Sequence, residues 1–337
     1  MMASLRMLKI LFLIATFGCN LKKEKMKDES FNWLPTICAP EKFPVKIMEG
    51  SFQLGNGQTV PILPKSYVSN GWGETGAINL IGDENKPLPI ELNIQWFAYR
   101  ERKFYSGIID IASLKLADYF KEGFLSPVTN KHETYEYIVA GAAPGGGISI
   151  WLKGNGITTE VGFFQAKEIH IDTNKLLGSS PNMDTYINAQ LMGKFTKQEI
   201  APLSTQNYPL EKWGVLYREL YDWHPTIITS AHAKSIMIYL FNGERIYFSD
   251  VSLLKKNLKS PMPRQLTIKW DDLEGVENSS EIVFDEEEIF KTIAYFSKQT
   301  AEIKLQTEIN SIDNSIKVYV LDNKDIIELK KCIINTY

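Results

Sequence analysis

Apolar and polar residues alternate in short runs along most of the chain, and Gly, Asn or Asp closes many of these runs. Ser51-Phe52-Gln53-Leu54 and Thr59-Val60-Pro61-Ile62 flank Gly55-Asn56-Gly57, while Ile148 to Leu152 and Thr159 to Phe164 flank Gly154-Asn155-Gly156. A period of two puts alternate side chains on one sheet face, and Asn-Gly tolerates the positive φ of a tight turn. Both segments are therefore predicted as hairpins. A further strand pair is predicted at Glu91–Trp96 and Phe104–Ile111, across the polar turn Arg100-Glu101-Arg102-Lys103.

Helical spacing is confined to a few places. Ser113 to Lys121, stopped by Gly123, is the first predicted helix, and Ser180 with Pro181 opens a second. Pro209 opens a third, with Trp213, Leu216, Tyr217 and Leu220 on one face and His224-Pro225 as its end. Asp285, with Glu288 three residues on, reads as a capping box for a fourth, whose apolar positions are Ile289, Phe290, Ile293 and Phe296.

The two halves echo one another. Asn93-Ile94-Gln95-Trp96 matches Thr267-Ile268-Lys269-Trp270, and an apolar residue follows each tryptophan thirteen positions on, Ile109 or Val283. A helix ending in Tyr119-Phe120 or Tyr295-Phe296 comes next, and then Ile148–Leu152 or Ile316–Val320. Each half also opens on an Asn-Gly hairpin, Asn56-Gly57 or Asn242-Gly243. A duplication predicts that residues 91–164 and 265–330 share a strand pair, a helix and a hairpin. The expected class is α+β: mainly antiparallel sheets with a few packed helices, since the long crossovers of parallel sheets are missing from the pattern.

The first residues change the picture from a fold to an address. Arg6 and Lys9 precede the apolar run Ile10–Phe17, which Gly18-Cys19 closes. The run is far shorter than the roughly 20 residues of a spanning helix, so it reads as an export signal. A small residue before Cys19 is what a lipoprotein signal peptidase requires, although Thr16 stands where Leu is usual. The expectation is cleavage of residues 1–18, lipidation of Cys19 and a tether through residue 37. Two α+β units, 38–225 and 226–337, are expected beyond it. The alternative is an ordinary signal peptide with an incidental cysteine. Asn20 lacks the aspartate of inner-membrane retention, which favours an outer-membrane anchor facing the periplasm.

Cleavage would move the net charge from −3 to −5, with 35 basic against 40 acidic residues. A mildly acidic chain whose basic cluster is confined to Lys22–Lys27 is not built for nucleic acid. Cys38 and Cys332 remain, either as a disulfide in an oxidising compartment or as two buried free thiols.

Local motifs for catalysis fail on spacing. Ala143-Pro144-Gly145-Gly146-Gly147 lacks the Gly-Lys-Ser/Thr of a phosphate loop and precedes a strand, so it reads as a turn. His132, His170, His224 and His232 have no metal-ligand spacing, and Asp285-Glu286-Glu287-Glu288 is explained by a helix start without any ion. No catalytic residue, metal or cofactor is expected. Dispersed carboxylates such as Asp110, Glu160 and Glu168 keep an envelope hydrolase acting on glycan or lipid open as an alternative, because two acids need only meet in space.

Several of these segments are similar to one bacterial lipoprotein family. Ser69-Asn70-Gly71-Trp72-Gly73-Glu74, Lys103-Phe104-Tyr105, Ala143–Gly147 through Trp151-Leu152, and Thr159–Ala166 resemble the domain of unknown function 2931. Tyr221-Asp222-Trp223-His224-Pro225 and Asn242-Gly243-Glu244 resemble its later part, so the resemblance runs from about residue 38 to 250. The family brings no established enzyme activity. Its members are encoded near secreted lipase-type toxins in some genomes, so the resemblance implies periplasmic immunity. The expected function is thus a lipid-anchored, non-catalytic module that binds a protein partner.

Overall fold

The structure is a computed structural model and describes residues 29–78, 82–206, 208–254, 258–298 and 302–337. The signal, Cys19 and most of the expected tether lie outside these residues. The end of that tether does not: Ser30–Asn32 and Leu34–Cys38 are strands, so the fold begins several residues before the expected boundary at 38.

Among the described residues strand residues outnumber helical residues by more than two to one, and the strands form largely antiparallel sheets. A nine-stranded sheet runs through both halves in the order Leu34–Cys38, Tyr137–Ala143, Gly147–Gly154, Ile157–Gln165, Arg245–Phe248, His232–Leu240, Pro263–Asp271, Glu277–Val283, Ile333–Thr336. The first half adds a six-stranded sheet from Lys167–Ile169, Lys103–Asp110, Pro89–Ala98, Val45–Leu54 and Thr59–Pro61, with Lys65–Val68 also on Val45–Leu54. The second half adds Leu258–Ser260, Tyr221–Thr229, Ile303–Asn310, Ser315–Leu321 and Ile326–Glu328.

Each half is therefore a sandwich with its own core. Phe52, Leu92, Ile94 and Trp96 meet Ile138, Ile148, Ile150 and Leu152 in the first. In the second, Ile236, Ile238, Leu266, Ile268 and Trp270 meet Trp223, Leu305, Ile309, Val318 and Val320. The alternation read from the sequence decides which side chains face these cores.

The two halves have the same order of pairings. In the first, Leu34–Cys38 lies parallel to Tyr137–Ala143, and Val45–Leu54 pairs with both Thr59–Pro61 and Pro89–Ala98. Pro89–Ala98 pairs with Lys103–Asp110, the helix Leu116–Glu122 follows, and Lys167–Ile169 returns beside Lys103–Asp110. In the second, Tyr221–Thr229 lies parallel to Ile303–Asn310, and His232–Leu240 pairs with both Arg245–Phe248 and Pro263–Asp271. Pro263–Asp271 pairs with Glu277–Val283, the helix Glu286–Phe296 follows, and Ile333–Thr336 returns beside Glu277–Val283. The sheets are exchanged: the first half gives the long sheet Leu34–Cys38, its parallel partner Tyr137–Ala143 and the strands that follow on from it, whereas the second half gives it the strands that pair in series from Arg245–Phe248 to Ile333–Thr336.

Several predicted helices differ from the structure. Asn182, not Ser180, caps the helix Met183–Leu191 by accepting from Thr185 N–H. The segment after Pro209 is no continuous helix but two short 3-10 turns, Leu210–Trp213 and Leu216–Arg218, with Gly214 between them. Trp213 and Tyr217 are still buried together, while Leu220 is exposed, because burial here follows a docking surface and not a helical stripe. His224-Pro225 ends no helix. Both lie inside the strand Tyr221–Thr229, where the neighbour Leu258–Ser260 pairs only with residues 221–223 and makes no demand on the missing Pro225 N–H. The expected unit boundary at 225 thus cuts a strand, and the second half starts before residue 221. Asp285 caps the last helix as predicted, but Glu288 reaches away from the cap to accept from the Lys330 and Lys331 N–H groups.

Candidate functional site: the seam between the halves

The two sandwiches meet where Ile157–Gln165 lies beside Arg245–Phe248, with Thr158 opposite Arg245. Residues of Gly147–Gly154 that point away from the first core face this seam. Trp151 is fully buried there, edge-on to Trp72 at 4.6 Å between ring centroids, and Trp72 meets Trp213 at 5.2 Å. Tyr217 stacks on Phe241 of the second half, and Phe241 packs on Phe290 of its helix. The first core covers one face of Gly147–Gly154 and the seam covers the other, so the strand is buried along its whole length.

Two glycines permit the close approach. A Cβ on Gly141 would lie 2.4 Å from the Trp151 ring, and one on Gly73 would lie 2.6 Å from Gly243 O. The Gly-rich run is a turn, as its composition suggests. Gly145 and Gly146 have φ of 75° and 80°, and Glu101 accepts from both Gly145 N–H and Tyr105 Oη.

Charged groups are enclosed among these rings. Arg218 donates to Glu160 Oε1, to Ser149 Oγ at 2.9 Å and to Trp213 O, and its guanidinium lies 3.9 Å from the Phe163 ring centroid. Asn242 Nδ2 donates to Glu160 Oε2 at 3.0 Å and to Glu244 Oε2 at 2.9 Å, so one amide bridges two carboxylates. The Glu160 N–H donates to Glu244 Oε1 at 3.0 Å, and Trp151 Nε1 donates to Asn242 O at 3.1 Å. Burial pushes both carboxyls above the ordinary range, and Arg218, serving two acids, only partly opposes it.

A second group lies beside it. Glu74 pairs with Lys153 at 2.5 Å and with Arg245. Burial alone would raise the Glu74 carboxyl, but the two cations outweigh it and bring it below its ordinary value. Arg264 and Arg245 both lie over the Tyr239 ring, at 5.5 and 5.0 Å. Glu74 comes from the first half, while Arg245 and Asn242 come from the second, so both groups fasten one half to the other.

The residues singled out from the sequence do not converge. Glu160 is in the seam. Asp110 is exposed and caps the Ala112 N–H, and Glu168 pairs with Lys103. Glu168 lies opposite Tyr105, five residues from Asp110, roughly 17 Å along the strand at about 3.4 Å per residue. That exceeds any separation of paired glycosidase acids. The acid that does join Glu160 is Glu244, which the sequence reading placed only in the family resemblance. Asn-Gly marked the turn, but nothing local showed what it would touch.

Cys38 and Cys332 are not bridged. Cys38 is fully buried in the seam cluster, whereas Cys332 packs against the second core. Burial pushes both thiols up to about 12. Among the described residues, no group of three or more His, Cys, Asp or Glu is placed to hold a metal ion. His224, the one buried histidine, approaches Glu302 at 3.7 Å. A cleft of about 350 Å³ opens between Ile37, Lys65, Tyr67, Val68, Ser69, Asn70, Gly76 and Ala77, and its lining includes none of Glu74, Glu160 and Glu244. No described helix is long and apolar enough to cross a membrane.

Fold and seam together define a class: a strand-rich α+β protein of two sandwiches sharing one long sheet. A family model, protein of unknown function (DUF2931), matches residues 20–209. This is more than half of the chain, and the chain belongs to that family. The match covers the first sandwich and stops in the segment before the second, short of the expected end near 250. No curated protein and no solved structure matches the chain.

Proposed function

We propose that this protein is a lipid-anchored, periplasm-facing binding module that protects its cell by holding a secreted toxin. The address rests on the short apolar run closed by Gly18-Cys19. The binding role rests above all on how the acids are used. Glu160, Glu244 and Glu74 are committed to fastening one sandwich to the other, and the cleft contains none of them. The partner surface lies on the segment between the sandwiches, which exposes Met192, Val215 and Leu220 at 75%, 65% and 53%. Apolar side chains displayed on such a base are what a stable partner covers. The two halves are copies of one unit, as their common order of pairings supports, and the segment 170–220 is an addition to the first copy.

The test is co-purification of the acylated protein with the product of an adjacent toxin-like gene. Val215→Asp with Leu220→Asp should abolish the complex and the protection, and Cys19→Ala should abolish fatty-acid labelling. Hydrolysis of a cell-wall or lipid substrate that is lost on replacing one carboxylate, with no partner bound, would replace this reading with the envelope hydrolase.

A further inference from the structure

The turn that locks the second half onto the first has a twin in the first half, and the twin is exposed. In residues 240–244 the Leu240 N–H donates to Glu244 O, the Gly243 N–H to Leu240 O and the Glu244 N–H to Asn242 Oδ1. In residues 54–58 the Leu54 N–H donates to Gln58 O, the Gly57 N–H to Leu54 O and the Gln58 N–H to Asn56 Oδ1. Each Asn Nδ2 also donates to the side chain two residues on, Glu244 at 2.9 Å or Gln58 at 2.7 Å. Gly243 and Gly57 have φ of 93° and 87°.

The second-half turn uses this shape to engage the strand Ile157–Gln165. Asn242 Nδ2 reaches Glu160, which lies opposite Trp151 in the ladder, and the Trp151 indole donates to Asn242 O. The corresponding strand of the second half is Ile326–Glu328, where Glu328 lies opposite Tyr319. That strand ends its sheet, Ile326 is 60% exposed, and Glu328 is exposed. The internal contact thus joins a turn of one unit to an edge of another. A heterologous contact of this kind leaves one such turn and one such edge unused.

We propose that these two surfaces join between two copies of this chain, residues 54–58 of one docking on Ile326–Glu328 of the next. A second copy is the occupant because one chain carries both sides of the contact, in the form that already meets inside it. The Asn56 amide donates to the Glu328 carboxylate, Tyr319 takes the place of Trp151, and Ile326 is covered. Gly55 stands where Phe241 fills the internal seam, so the contact is smaller and more polar, and association is weak. This goes beyond toxin binding and does not use Met192, Val215 or Leu220.

The test is sedimentation velocity of the purified protein in density-matched detergent, from low micromolar to several hundred micromolar. The wild type should associate as concentration rises. Asn56→Asp, which sets a like charge against Glu328, should remain monomeric, and so should Ile326→Asp, which charges the covered edge. An equimolar mixture of the two variants should recover association and stop at the dimer, because one intact turn and one intact edge remain. Melting curves matching the wild type certify that both variants fold. A wild type that stays monomeric, variants that associate like the wild type, or a mixture that stays monomeric would each overturn the proposal.

Discussion

Replacing Arg218 by methionine removes the cation from a seam that encloses two carboxylates, while keeping most of the aliphatic stem. The Arg218 side chain is 14% exposed and that of Glu160 9%, so neither charge can turn to water without opening the seam. Breaking a buried pair by removing one partner costs about 3–5 kcal/mol, because the remaining charge stays buried and uncompensated. The loss must also depend on pH. Burial raises Glu160 and Glu244 in the folded protein, so their contribution is fully present below the ordinary carboxylate pKa and is lost as pH rises through the raised values. Without Arg218 both values rise further. The Arg218→Met deficit should therefore be largest at mildly alkaline pH and shrink towards mildly acidic pH. In the wild type, stability should also rise on mild acidification, then fall as Glu74, held below its ordinary value, is protonated. Urea denaturation followed by tryptophan fluorescence reads this directly, since Trp72, Trp151 and Trp213 line the seam. Glu160→Gln placed on Arg218→Met should recover part of the loss at alkaline pH. A deficit below about 1 kcal/mol, the scale of an exposed pair, or one unchanged by pH, would refute the enclosed-charge account.

Gly73→Ala and Gly275→Ala share a left-handed backbone, with φ of 77° and 81°, but only the first places its Cβ against backbone, Gly243 O at 2.6 Å. Each should lose roughly 1–3 kcal/mol of stability to added backbone strain, and Gly73→Ala clearly more by forcing the halves apart; equal losses in denaturant titrations would refute a close approach at Gly243. Peptide-resolved maleimide labelling without reductant should leave Cys38 unmodified in the native protein and modify both Cys38 and Cys332 after denaturation. Failure to label either thiol in denaturant would point to the disulfide instead.

Local pattern carried the elements whose reasons are local. The hairpins at Asn56-Gly57, Asn155-Gly156 and Asn242-Gly243 were legible because alternation selects a sheet face and glycine takes the positive φ, found at 87°, 91° and 93°. The helix begun by Asp285 was legible for the same kind of reason, since its cap lies within one turn. Trp96 and Trp270, each placed in an alternating run by the sequence, are both fully buried in strands. The site was not legible. Pairing of Glu160 with Glu244 spans 84 residues and that of Glu74 with Arg245 spans 171. Trp213 and Tyr217 mimicked a helical stripe because both were selected for one aromatic contact, which two separate 3-10 turns satisfy as well as a helix would. A sequence displays the period of a strand and the chemistry of a turn. Which edge meets which turn depends on the free energy of burying two finished surfaces together, and that interaction exists only once both sandwiches have folded.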